Sequence, residues 1–95
     1  MKHCVYILYS EKLDRFYIGE TSNFDIRMEF HNNSDVKKFT GKAKDWELFL
    51  KFDCDCKAQA LSIEKHIKKM KSRVYISNLK KYREITIKLK SRYPC

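Results

Sequence analysis

Glycine and proline are scarce in this chain, with two Gly and one Pro among its 95 residues. Disordered and loop-rich proteins are usually enriched in these residues, so the scarcity argues against both classes. Long apolar runs are also missing. The run from Val5 to Tyr9 is too short for a signal peptide or for the roughly 18 apolar residues of a membrane span. We therefore expect a soluble cytoplasmic protein with no membrane association.

The four cysteines show no Cys-x-x-Cys spacing; they are Cys4, Cys54, Cys56 and Cys95. Cys54 and Cys56 could hold a metal ion only with help from distant ligands. We expect four reduced thiols, as is usual in cytosolic proteins.

Acidic residues are nearly absent from the second part of the chain. Residues 57–95 contain 12 Lys/Arg against only Glu64 and Glu84, whereas residues 1–56 contain 9 Lys/Arg against 10 Asp/Glu. A small domain with such one-sided positive charge is typical of proteins that bind polyanions such as nucleic acids. The alternative is a solvated, lysine-rich helical surface.

Aromatic residues are plentiful, with six Phe, six Tyr and one Trp, so one small hydrophobic core is feasible. We expect a single domain over residues 1–95. Periodicity predicts strands at about 3–9, 16–19 and 46–52, and helices at about 24–32, 56–71 and 77–90. The order β-β-α-β-α-α indicates an α+β fold, a small three-stranded antiparallel sheet flanked by helices.

The first strand is apolar on both faces, which predicts a central position in the sheet. Its expected hairpin partner is the second strand, with Val5 opposite Ile18 and Tyr6 opposite Tyr17. The third strand is expected at the edge, with one apolar face made of Trp46, Leu48, Leu50 and Phe52.

Two helices follow the third strand. The first is expected to bury the stripe Ala60, Ile63, Ile67, Met70 and Val74, and the last to bury Leu79, Tyr82, Ile85 and Leu89. Glu64 lies beside the first stripe, one turn before Lys68. It is interpreted either as a helical ion pair with Lys68 or as a carboxylate that holds a cation at the edge of the core.

The opening stretch, taken together with Glu64, resembles the GIY-YIG nuclease superfamily. Cys4-Val5-Tyr6 stands where the family has Gly-Ile-Tyr, and Tyr17-Ile18-Gly19 matches Tyr-Ile-Gly. Tyr17 follows Tyr6 by eleven positions, and Arg27 follows Tyr17 by ten positions, as in the family. His31, Glu64 and the tripeptide Lys71-Ser72-Arg73 also match family positions.

The resemblance implies an endonuclease that hydrolyses DNA with Mg²⁺ or Mn²⁺, an activity of the kind used in DNA repair. It implies catalytic roles for Tyr6, Tyr17, Arg27, His31 and Glu64. Tyr6 would be the general base or would orient the attacking water, Arg27 would bind the scissile phosphate, and Glu64 would hold the metal ion. Gly19, Lys68, Lys71 and Arg73 are the implied substrate contacts.

In a chain of this length we expect selection by DNA structure, such as branches or nicks, or through a protein partner, rather than by sequence. Glu20 follows the Tyr-Ile-Gly triplet. Its carboxylate would either join Glu64 at the metal ion or repel the phosphate. Two alternatives therefore stand beside the nuclease: a nucleic-acid-binding module of the same fold without catalysis, and a small interaction domain.

Overall fold

The computed structural model describes residues 3–33 and 44–95, without the side chains of residues 30–33. The elements are β1 (His3–Ser10), β2 (Arg15–Thr21), α1 (Phe24–Asn33), β3 (Glu47–Cys54), α2 (Lys57–Met70), α3 (Arg73–Lys81) and α4 (Arg83–Arg92). The three strands form one antiparallel sheet in the order β2-β1-β3. The predicted α+β fold is confirmed, with β1 in the centre and β3 at an edge.

The hairpin register differs from the predicted one by two residues. Tyr6 pairs with Gly19, and Tyr17 pairs with Leu8. The turn Glu11–Asp14 closes the hairpin, and Asp14 has a φ of 51° there, a left-handed conformation that Asp tolerates. Because side chains alternate with period 2, a shift of two residues leaves both tyrosines on the predicted common face.

The predicted single apolar face of β3 is wrong. A β-bulge shifts the register between Ile7 and Leu8, so that Ile7 pairs with Leu50 and Leu8 with Leu48. The extra residue reverses the alternation of the strand. As a result Trp46 is buried on one face of the sheet, Leu50 packs on the other, and Leu48 is exposed.

Each face of the sheet has its own hydrophobic cluster. On one face Tyr6, Leu8 and Trp46 are buried beneath Phe24 and Met28 of α1. On the opposite face α2, α3 and α4 cover the sheet; the buried members there include Val5, Ile7, Ile18, Ile63, Ile67, Leu79 and Leu89. The two clusters together explain why β1 is apolar at both parities.

The apolar stripe of α2 ends earlier than predicted. Ala60, Ile63 and Ile67 are buried, but Met70 and Val74 are exposed. Lys71 adopts φ 49° and ψ 40°, a left-handed C-cap that stops the helix and turns the chain away.

The predicted last helix consists of two helices, α3 and α4, and begins earlier than expected. The Ser72 side chain caps α3 by accepting a hydrogen bond from the Tyr75 N–H at 3.1 Å. Tyr82 is extended between the two helices, and its side chain is exposed rather than part of an inner face. Leu79 and Leu89 are buried as predicted.

The prediction of four reduced thiols is wrong. Cys56 and Cys95 form a disulfide that ties the start of α2 to the C-terminal residue, while Cys4 and Cys54 are free and buried. Sequence spacing gives no signal for this pair, because the residues are 39 positions apart. Within residues 3–33 and 44–95, no helix has the length and apolarity to cross a membrane.

Candidate active site

Tyr6 is the most deeply buried of the predicted catalytic residues, with 1% of its surface exposed. Its ring lies over Gly19 on the neighbouring strand. A Cβ atom placed on Gly19 would be only 2.5 Å from the Tyr6 hydroxyl oxygen. Gly19 is therefore required for space rather than for an unusual backbone angle, and its lack of a side chain lets the Tyr6 hydroxyl extend across β2.

Tyr17 lies beside Tyr6 on the same face of the sheet. The two ring centroids are 6.2 Å apart, and the edge of the Trp46 ring packs against Tyr17 at 6.3 Å. Phe24 of α1 contacts Tyr6 edge-on at 5.8 Å. These aromatic contacts fix the two phenols together at the β2 side of the sheet.

Glu64 reaches this region from the opposite side of the sheet. The apolar stripe of α2 packs against the face that carries Val5 and Ile18 rather than the tyrosine face. The Lys68 Nζ atom nevertheless lies 2.7 Å from the Glu64 Oε1 atom and 6.0 Å from the Tyr17 ring centroid. The Lys68 ammonium group therefore lies at the β2 edge of the sheet, close both to Glu64 and to the Tyr17 ring.

The structure contains the helical ion pair between Glu64 and Lys68, which was one of the two interpretations of Glu64. Its existence does not exclude the other role, because the Glu64 side chain is 17% exposed and Lys68 is half exposed. An exposed helical pair contributes only about 0.3–0.5 kcal/mol. A stronger ligand can therefore compete with Lys68 for the carboxylate.

Electrostatics set the protonation state of Tyr6. Burial raises its pKa above the ordinary value, and the neighbouring Tyr17 and Glu64 raise it further, whereas the Arg27 charge lowers it. The Tyr6 phenol consequently keeps its proton at neutral pH. The charges of Arg27 on α1 and Glu64 on α2 thus both act on the Tyr6 hydroxyl.

Arg27 is held by a well-defined helix start. The Asn23 Oδ1 atom accepts a hydrogen bond from the Ile26 N–H at 3.2 Å, which caps α1. Arg27 lies in the first turn of α1 and is exposed. His31 falls in the last part of the same helix, but its side chain lies outside the described residues.

Glu20 does not join the tyrosines. It pairs with Val5, so its side chain lies on the face opposite Tyr6 and Tyr17. The Glu20 Oε2 atom is 4.0 Å from the His3 Nε2 atom on that face. Glu20 therefore does not face the tyrosine pair, and it lies on the side of the sheet against which α2 packs.

Arg73, an expected substrate contact, has a partner that the sequence did not reveal. Its two terminal nitrogens donate to the two oxygens of Asp14 at 3.1 and 2.7 Å, and the Tyr9 hydroxyl donates to Asp14 at 2.6 Å. The hydrogen bonds from Arg73 and Tyr9 hold the pKa of Asp14 well below its ordinary value. No local pattern signals a contact between residues 59 positions apart, so this clamp between α3 and the hairpin turn was missed.

The carboxylate of Glu64, paired here with Lys68, is the candidate ligand for a divalent cation. Among the described residues no cluster of three or more His, Cys, Asp or Glu side chains could form a metal cage. Mg²⁺ often needs no such cage, since one or two carboxylates, water and substrate phosphate can complete its coordination. Glu64 is the residue that would hold it here.

A comparison with protein-family models matches residues 2–83 to the GIY-YIG catalytic domain. This chain belongs to the GIY-YIG family. The match covers most of the 95 residues, including both strands of the tyrosine hairpin and Glu64. No curated protein and no solved structure matches the chain.

Membership in the GIY-YIG family confirms the resemblance found in the sequence. It shows that the domain belongs to a family of endonucleases, for which DNA is the class of substrate. GIY-YIG nucleases generally use divalent metal ions. The family does not by itself assign roles to individual residues of this chain.

Proposed function

We propose that this GIY-YIG domain is a divalent-metal-dependent endonuclease that selects DNA by its structure rather than by its sequence. The observation that supports this most directly is the position of the Tyr6 hydroxyl. The ring crosses Gly19, and the hydroxyl is influenced by the charges of both Arg27 and Glu64. The Tyr6 phenol is thus coupled electrostatically to a guanidinium and a carboxylate.

Hydrolysis of a phosphodiester needs an oriented water molecule and neutralisation of negative charge on the phosphoryl oxygens. Because its pKa is raised, the Tyr6 phenol begins as a neutral group that accepts a hydrogen bond from the attacking water and orients it. Tyr17 supports the Tyr6 ring from the side. His31 assists proton transfer from the last turn of α1.

Arg27 binds the non-bridging oxygens of the scissile phosphate through its planar, forked guanidinium. Glu64 would hold Mg²⁺ or Mn²⁺, which would supply positive charge that stabilises the transition state. Lys68 keeps the Glu64 carboxylate in place at 2.7 Å until a cation competes for it. The released ammonium then becomes a contact for the DNA phosphates.

The other substrate contacts are also cationic or steric. Lys71 lies at the end of α2, and Arg73 is paired with Asp14 but 59% exposed, so a phosphate can still approach its side chain. Contacts of this kind bind phosphates and carry no direct sequence information. They support selection by DNA structure.

The proposal is tested by incubating the protein with linear and branched DNA of matched sequence, with Mg²⁺, with Mn²⁺ and with a chelator. We expect metal-dependent cutting that favours the branched substrate. Glu64→Gln should reduce cutting by at least about 100-fold, the scale of a lost charge-stabilising group. Glu84→Gln is the matched control, since it makes the same charge change on α4 and should leave cutting intact.

Two outcomes would contradict the proposal. Metal-dependent cutting that survives in Glu64→Gln would remove Glu64 from the mechanism. Salt-sensitive DNA binding with no cutting in either metal would instead indicate the binding module.

A further inference from the structure

A groove separates the hairpin turn from the junction of α2 and α3. Its volume is about 490 Å³, within the range of roughly 300–1,000 Å³ that small organic ligands occupy. Four apolar side chains lie among the residues that line it: Phe16, Ile18, Ile67 and Ile76. Ile18, Ile67 and Ile76 are buried and form the floor of the groove, so the half-buried Phe16 ring is the apolar group that a flat, ring-containing ligand can contact.

The charged residues around this apolar surface are mainly cationic. Arg15, Lys68 and Lys71 line the groove and are exposed. Among the described residues of the lining, Asp14 is the one acidic residue, and the forked pair with Arg73 neutralises its charge. The groove is thus suited to a ligand with an apolar ring and an anionic group.

The groove adjoins the candidate active site through a single side chain. Lys68 lines the groove, while its Nζ atom lies 2.7 Å from Glu64 and 6.0 Å from the Tyr17 ring centroid. A ligand whose anionic group contacts Lys68 would therefore lie close to the carboxylate proposed to hold the metal ion.

We propose that this groove binds one unpaired nucleotide of the DNA beside the phosphate that is cut. The base would lie on the Phe16 ring, and its phosphate would contact Arg15 and Lys71. A base within a duplex has both faces stacked on its neighbours, so only an unpaired nucleotide can present a free face to the protein. The inference rests on the proposed function for the identity of the substrate, and it names the feature by which branched DNA would be selected.

The test compares two duplexes that have the same number of phosphates. One carries a single-nucleotide bulge with 2-aminopurine, and the other carries an abasic nucleotide at the same position. Binding is measured by anisotropy in the presence of a chelator, so the result does not depend on cutting. We expect removal of the base to weaken binding by about 5- to 150-fold, the range for loss of one stacked base. The 2-aminopurine fluorescence should also change on binding.

A second arm of the test alters the groove itself. Ile76→Phe enlarges a groove residue that is 6% exposed, and it should abolish the preference for the base while leaving binding of the abasic duplex unchanged. Ile87→Phe makes the same change at an exposed position of α4 and should keep the preference. Thermal melting verifies that each variant is folded. If Ile76→Phe does not fold, the inference is tested by the affinities of the unmodified protein for the two duplexes.

Equal affinity of the unmodified protein for the two bulged duplexes would overturn the inference. Cutting with Mg²⁺ is measured separately, so the two proposals can fail independently. Cutting without a preference for the base would reject the proposed nucleotide site and support the nuclease. A preference for the base without cutting would support the nucleotide site and reject the nuclease.

Discussion

Gly19→Ala is the substitution for which the structure gives the sharpest expectation. The added Cβ atom would meet three atoms of the Tyr6 ring, the hydroxyl oxygen at 2.5 Å, Cζ at 2.6 Å and Cε1 at 3.0 Å. Tyr6 cannot move away easily, because it is 1% exposed and is packed between Tyr17 and Phe24. Either the ring or strand β2 must shift.

The magnitude follows from two opposing effects. Overpacking of this kind costs about 1–3 kcal/mol of unfolding free energy. Replacing a glycine recovers about 0.5–1 kcal/mol because the unfolded chain loses less entropy on folding. We expect a net destabilisation of about 1–2 kcal/mol. For a domain of this size that corresponds to a fall in Tm of roughly 4–16 °C.

The same displacement should reduce cutting by about 100-fold, since a shift of about 1 Å in a catalytic group can have that effect. Thermal melting and a DNA-cutting assay measure the two consequences. The control is the double-mutant cycle with Tyr6→Leu: without the phenol ring, Gly19→Ala should no longer be destabilising. A Gly19→Ala variant with an unchanged Tm would refute the packing argument, whatever its activity.

Three further predictions concern stability. Cys95→Ser, which opens the loop closed with Cys56, should lower the unfolding free energy by about 2–4 kcal/mol in urea titrations, and equal midpoints for both proteins would refute the link. Burial lowers the pKa of His66 below the ordinary 6.5, so protonation favours the unfolded chain. Stability should therefore fall as the pH drops below about 6.5, and His66→Gln should flatten that part of the melting profile; a profile that keeps its slope would exclude His66. The pKa of Asp14 is lowered by Arg73, so its contribution is present above the ordinary value of 3.8 and is lost at lower pH. Asp14→Asn should lower the Tm by more at pH 7 than at pH 2, and an equal loss at both would show that the ion pair is not the cause.

The sequence determined the faces of the central hairpin better than its register. The alternation of apolar residues places Tyr6 and Tyr17 on one face, and a register shift of two residues preserves that result. The choice between registers depends on how the turn at Asp14 closes, which alternation alone does not specify. Alternation alone also does not predict the bulge in β3 opposite Ile7 and Leu8.

Contacts between distant segments could not be predicted from local patterns. The disulfide between Cys56 and Cys95 and the pair between Asp14 and Arg73 join residues that are 39 and 59 positions apart. Their formation depends on how the helices pack against the sheet. Local periodicity records the buried face of each element but not its neighbours.

The sequence by itself determined the α+β fold, the GIY-YIG family and the residue types proposed for the site, because motif spacing and apolar periodicity are local properties of the chain. Only the tertiary structure decided how these residues meet. It places α2 on the face opposite the tyrosines and brings Glu64 to them around the edge of β2 through Lys68. It also places Glu20 on the other side of the sheet. The physical reason is that sheet order, register and helix packing are set by burial of surface between distant segments, which no single segment encodes.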